Sequence, residues 1–257
     1  MVAADRRHGA STLKARRRAV KPLHDRSAAW LVRAGLFDGT TANPRLLDGA
    51  EIGSLRRRAL ATVARSRHDA RVNSWALVVG ASGAARRSLV DRLARRLAER
   101  GLVVAGAVQE AVIEGGERAG YVARRLGGDE RCPIARHSTA APGPSEEAYC
   151  SFLFDATGFS AARRWLAEDG ARADVLFIDE VSRFEAAGRG HHDAIRAALA
   201  GRALPILSVR ADQLFAVIER FDLDEPVASL DAARIDDAAE AAFVEAAHAL
   251  VKTRPLL

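Results

Sequence analysis

From Trp75 onward, short apolar runs alternate with amphipathic stretches, a pattern that predicts an α/β domain built on a mainly parallel sheet. The run 75–80, Trp-Ala-Leu-Val-Val-Gly, contains no charged position and ends on a glycine, so it predicts a strand buried on both faces. Apolar residues at helical spacing follow over 86–100, and Gly101 closes that helix. A second strand is expected over 102–108. The stretch 119–126 and the turn Gly127-Gly128-Asp129 predict an antiparallel hairpin reaching Pro133 and Ala135. After a Pro/Gly-rich loop at 138–145 the pattern predicts strand 149–154, helix 158–169, strand 174–179, helix 191–201, strand 204–209, helix 211–220 and a last helix over 236–251. No internal repeat is visible.

The first 72 residues follow a different pattern. Residues 1–22 are Arg-rich with few large apolar side chains, as in a disordered or loosely helical segment. Leu23, Trp30, Leu31 and Leu36 then recur near helical spacing, and Ile52, Leu55, Leu60 and Val63 predict a second helix over 50–68. The expected organisation is a basic helical extension, 1–72, joined near Val72-Asn73 to an α/β domain, 73–257.

Charge sharpens that division. Residues 1–72 hold two Lys, fourteen Arg and six acids, a net +10, against +6 for the whole chain, which leaves −4 for the rest. Such asymmetry permits an arm that contacts a nucleic acid or an acidic protein partner. A solvated Arg-rich extension accounts for it equally, because no aromatic stacking set accompanies the charge. Hydrophobic residues make up 49% and charged residues 28% of the chain, ordinary values that exclude disorder throughout. No apolar run approaches the roughly 20 residues that span a bilayer. The N-terminal arginines are not followed by the apolar core of a secretory signal, so a cytoplasmic protein without membrane insertion is expected. Cys132 and Cys150 lack metal-ligand spacing and are read as reduced thiols.

Two segments carry candidate chemistry. Strand 75–80, a glycine turn and a helix start form the frame of a phosphate-binding loop, in which backbone N–H groups and a helix N-terminus cradle an anion. The pattern G-x-x-x-x-G-K-[ST], begun at Gly80, runs through Ala81, Ser82, Gly83 and Ala84. Its second Gly, its Lys and its hydroxyl fall on Ala85, Arg86 and Arg87. Ala85 costs about 1 kcal/mol if its backbone is left-handed. Arg86 puts a long planar fork where a compact ammonium would meet the β and γ phosphates. Arg87 replaces a Mg²⁺ ligand with a cation, and Ser88 could substitute only if the loop shifts register. The second segment, Asp174-Val-Leu-Phe-Ile-Asp-Glu180, is an apolar strand with two carboxylates at its end. Asp179 there could hold Mg²⁺ and Glu180 could polarise an attacking water, although adjacent acids also cap helices. Beyond it lies the polar segment 185–192. In it Arg189 or His191 could face a phosphate, or Gly188 and Gly190 make a turn and the histidines open the next helix.

These segments, with Val104-Ala-Gly-Ala-Val-Gln109, the hairpin Gly120-Tyr121 to Arg136, Tyr149-Cys-Ser-Phe-Leu-Phe-Asp155 and Glu185 to His191, resemble the small nucleoside-triphosphatases first described from thermophiles. They look closer still to a related bacterial family linked to molybdate transport. The resemblance covers about residues 74–232. It implies a P-loop NTPase-like three-layer sandwich, phosphate binding by Gly80 to Ser88, Mg²⁺ through Asp179, and Glu180 as base in hydrolysis of ATP, GTP or other nucleoside triphosphates. The departures at Ala85, Arg86 and Arg87 imply weak or lost hydrolysis. The alternative is a non-catalytic regulatory or scaffold protein that binds a partner through residues 1–72.

Overall fold

The structure, a computed structural model, describes residues 74–139 and 141–253. The expected extension over 1–72 and its two helices lie outside the described residues. Ala76–Gly80 form the anticipated buried strand, β1. Trp75, Leu77 and Val79 point into one apolar layer, and Ala76 and Val78 into another, so the strand needs a covering layer on both sides. In chain order there follow α1 (Gly83–Glu99), β2 (Val104–Glu114), β3 (Glu117–Leu126), β4 (Arg131–His137), β5 (Glu146–Tyr149) and β6 (Phe152–Asp155). Next come α2 (Ala156–Gly170), β7 (Val175–Val181), a single turn α3 (Arg183–Ala186), α4 (His192–Ala200) and β8 (Leu204–Arg210). A 3-10 turn (Ala211–Gln213), α5 (Leu214–Phe221), β9 (Ala228–Asp231) and α6 (Asp237–Thr253) complete the described chain.

All nine strands of the described residues join one sheet, ordered β5-β6-β4-β3-β2-β7-β8-β1-β9. The half from β2 to β9 is parallel, and β3, β4, β6 and β5 extend it antiparallel, with β6 inserted between β4 and the edge strand β5. The sheet is therefore mixed. Helices α1 and α6 cover one face, burying Leu89, Val90, Leu93, Leu97, Phe243 and Val244 against Val78, Val175, Phe177 and Ile206. Leu166 of α2, Ile195 of α4 and Val217 and Ile218 of α5 cover the other, over Leu77, Ile178 and Leu207. This is the α/β three-layer sandwich of a P-loop domain.

The expected elements shift in informative places. Helix α1 begins at Gly83, three residues before the anticipated 86, because the Ser82 hydroxyl caps it by accepting from Ala85 N at 3.3 Å. Strand β2 runs on to Glu114 rather than stopping at Val108. Its pairing with β7 ends at Ala107, and from there it is an edge strand held only by β3, half-buried and so with no apolar run to announce it. The single strand expected over 149–154 is two strands, β5 and β6, folded at Cys150, whose φ is +55°. Strand β9 and turn α3 are short and were not anticipated.

Candidate functional site

The carboxyl ends of parallel strands β1, β7 and β8 meet at one edge of the sheet, where open α/β sheets place their ligands. Strand β8 lies between β1 and β7, so the loop after Gly80 and the acids Asp179 and Glu180 face each other across it. Arg86 spans the gap. It occupies the apolar stripe of α1, with Leu89, Val90, Leu93 and Leu97 at spacings of three, one, three and four, and it is wholly buried. Its Nη1 donates to the Gly80 carbonyl at 2.6 Å and its Nη2 to Glu180 Oε1 at 2.5 Å, while Nε has no partner.

The geometry of Glu180 is unusual. Its backbone is left-handed, φ +54°, and the register of β7 against β8 shifts between Ile178 and Val181. A non-glycine residue held there costs about 1–3 kcal/mol, and such outliers cluster at functional sites. The bulge re-aims the side chain toward Arg86, with one-fifth of it still exposed. A Cβ on Gly83 would stand 2.8 Å from Glu180 Oε1, so a side chain there would push the carboxylate from its present place. Ala81, Ser82, Ala84, Ala85 and Ser88 are exposed and Arg87 half-exposed. Ser88 accepts from Arg92 Nη1 at 3.2 Å within α1.

Asp179 is buried under this pair. Burial, followed by the neighbouring Glu180 charge, pushes its carboxyl well above the usual carboxylate range, against lowering by Ser208, by the Gln109 N–H and by Arg86. Gln109 N donates to Oδ2 at 3.2 Å, whereas Oδ1 has no partner. Ser208 lies beside it on β8, wholly buried, but its geometry falls short of a hydrogen bond and its Oγ is also unpartnered. Sequence reading passed over Ser208, although a lone hydroxyl in the apolar run Leu204 to Val209 is the signal that marks it. The loop hydroxyl that would share a magnesium ion is absent at Arg87, and Ser88 does not replace it. Among the described residues no group of three or more His, Cys, Asp or Glu could hold a metal. The buried, unpartnered Asp179 Oδ1 is the carboxylate oxygen left without a partner beside this loop.

The segment after Glu180 is built as a turn. Ser182 caps α3, and Glu185 completes a capping box by accepting from Ser182 N at 2.9 Å and Ser182 Oγ at 2.8 Å. His191 is buried against Phe159 and opens α4, and His192 donates through Nδ1–H to the Glu185 carbonyl at 2.8 Å. Arg189 pairs with Glu147 at 2.9 Å. Of the two readings of 185–192, the turn and helix start are what the chain forms.

Burial gives this turn a pH signature. It raises Glu185 from 4.5 to about 7 and, with the Arg163 charge behind it, lowers His191 from 6.5 to about 4. Glu185 therefore contributes stability that is full below pH 4.5 and lost as pH rises through 7. His191 contributes stability that is full above pH 6.5 and lost as pH falls through 4. The slopes oppose each other over their shared window. Glu185→Gln should remove the first, so the variant gains on the parent by about 2–3 kcal/mol between pH 5 and pH 8. Urea unfolding at both pH values measures this, and an equal difference at the two would refute it.

A comparison with known structures finds a human cancer-related nucleoside triphosphatase, determined in solution, with a TM-score of 0.51 and 19% identity over 71% of this chain and 100% of that one. That likeness establishes the fold. No curated protein matches the chain. The pattern of the family described as NTPase matches residues 76–232, from β1 through the phosphate-loop frame and the Asp179-Glu180 strand to the residue after β9, and the chain belongs to that family.

Proposed function

We propose that the protein binds a nucleoside triphosphate, ATP or GTP, at residues Gly80 to Ser88 and hydrolyses it weakly or not at all. The observation that carries this reading is the Arg86–Glu180 pair, which engages the loop's cation and the candidate base with each other. The NTPase fold and the two acids at the end of β7 support nucleotide binding; Arg86 and Arg87 in place of Lys and a hydroxyl argue against efficient turnover. In residual hydrolysis Glu180 would take a proton from water as the water oxygen bonds to the γ-phosphorus and the bridging P–O bond breaks. Arg86 would offset charge on the phosphate oxygens. Asp179 would hold Mg²⁺ through Oδ1, and that ion supplies further charge neutralisation when bound. The net +10 of residues 1–72 supports a separate contact with an acidic protein or nucleic-acid partner, and a link to molybdate transport rests on resemblance alone.

Titration with ATP and GTP, with and without Mg²⁺, followed by assay of released phosphate, tests this. Binding with little or no release is expected of the parent. Arg86→Lys combined with Arg87→Thr should raise release by about tenfold or more, since a compact loop cation and a metal-binding hydroxyl are restored. Equal release from the parent and the double variant would show that arginine serves at both positions.

A further inference from the structure

We propose that Glu180 is an internal ligand of the phosphate loop, holding with its own carboxylate the seat that a nucleotide's terminal phosphate must take. Nucleotide then enters by displacing Glu180 from Arg86. This rests on the reading of residues 80–88 as the nucleotide site.

Four observations converge on it. The Arg86 guanidinium is wholly buried and anchored at Nη1 to the Gly80 carbonyl, so it cannot leave without breaking a buried bond. Its Nη2 is taken by Glu180 Oε1 and its buried Nε is unpartnered, so Nη2 is the donor that an incoming anion would take over from Glu180. The same carboxylate oxygen lies 2.8 Å from the position of a Cβ on Gly83, which puts an anion directly against the first turn of α1. The helix N-terminus and the guanidinium, the two features that attract phosphate, thus already face a negative group. The strained backbone and the bulge at Glu180 hold it there.

Two anions cannot share this seat. A phosphate oxygen placed there and the Glu180 carboxylate repel each other, and Arg86 Nη2 can meet only one of them at a time. Because one-fifth of the Glu180 side chain is exposed, the carboxylate has a way out to water that the buried Arg86 lacks. The released Glu180 would then be free to meet a water, so the same exchange that admits nucleotide frees the base.

The test is calorimetric titration of the full chain with inorganic tripolyphosphate and with ATP, both without Mg²⁺, on the parent, Glu180→Gln and Glu180→Ala. Removal of the competing anion should tighten binding by about tenfold or more, with Ala the tighter variant because Gln can still accept from Arg86. The Gln variant keeps the shape of the side chain, so a folding defect in Ala leaves the test intact. Equal or weaker binding in Gln than in the parent overturns the proposal and leaves the nucleotide site standing. Absence of binding in parent and variants overturns both.

Discussion

Arg86→Ala is expected to lower the free energy of unfolding by about 3–5 kcal/mol, the range seen when one partner of a buried ion pair is removed. The loss has separable sources. The Gly80 carbonyl, inside the end of β1, loses the donor that satisfies it at 2.6 Å, a penalty of about 1–3 kcal/mol for a buried acceptor. A void opens on the α1 stripe, between the helix and the sheet, where the Arg86 methylenes pack in line with Leu89, Val90 and Leu93. Glu180 can hydrate through its exposed fifth, which keeps its own contribution at the lower end. Arg95→Ala, at an exposed position of the same helix, should change stability by no more than about 0.5 kcal/mol. Urea unfolding with an unchanged m-value measures both. A loss below about 1 kcal/mol in Arg86→Ala would mean that the buried guanidinium holds nothing together. If the expected loss is found, the residue that joins the start of α1 to Glu180 is also a stabilising one, so a lysine placed at this position carries a stability cost.

The parts of this fold legible in the sequence are those whose environment is uniform along an element. Strands β1, β7 and β8 are buried on both faces and so appear as unbroken apolar runs. Helix α1 is legible from its stripe but its start is not, because Gly83 resembles a loop glycine and hides the Ser82 cap. The same stripe includes Arg86, and reading that position as part of the buried face would have predicted an internal partner for its charge. The far end of the sheet was harder. Strands β5 and β6 have four residues each, and their turn at Cys150-Ser151 lacks the Asn-Gly or Asp-Gly pair that marks a hairpin. Asp179 and Glu180 are legible as a pair, but their different surroundings follow from a bulge and a left-handed backbone, features set by strand pairing rather than by local composition.

Gly158→Ala should be the most damaging single-methyl change in the described chain, costing about 3 kcal/mol or more. The first turn of α2 sits directly on the backbone of β4: a Cβ at 158 would lie 1.8 Å from the Pro133 carbonyl oxygen and 3.2 Å from Ile134 Cα. These neighbours are main-chain atoms of a paired strand, so no side-chain rotation relieves the overlap and the helix itself must move. The Cys132 thiol donates to the Gly158 carbonyl at 3.3 Å, and Phe159, Ala162 and Trp165 pack beneath α2 with Ile134 and Phe184. Lifting the helix therefore loosens Phe184 in α3 and His191, which rests on Phe159, and with them the turn that follows Glu180. Gly101→Ala is the matched control: its φ of +77° strains the new residue by about 1–2 kcal/mol, but no atom lies within 4 Å of the added Cβ. Chemical unfolding of the two variants should rank Gly158→Ala clearly below Gly101→Ala, and hydrogen exchange should show the loss of protection spreading from α2 into residues 182–192. The reverse ranking would mean that α2 does not rest on β4 as closely as the Gly158 contact requires, and that the support of the turn beside Glu180 comes from elsewhere.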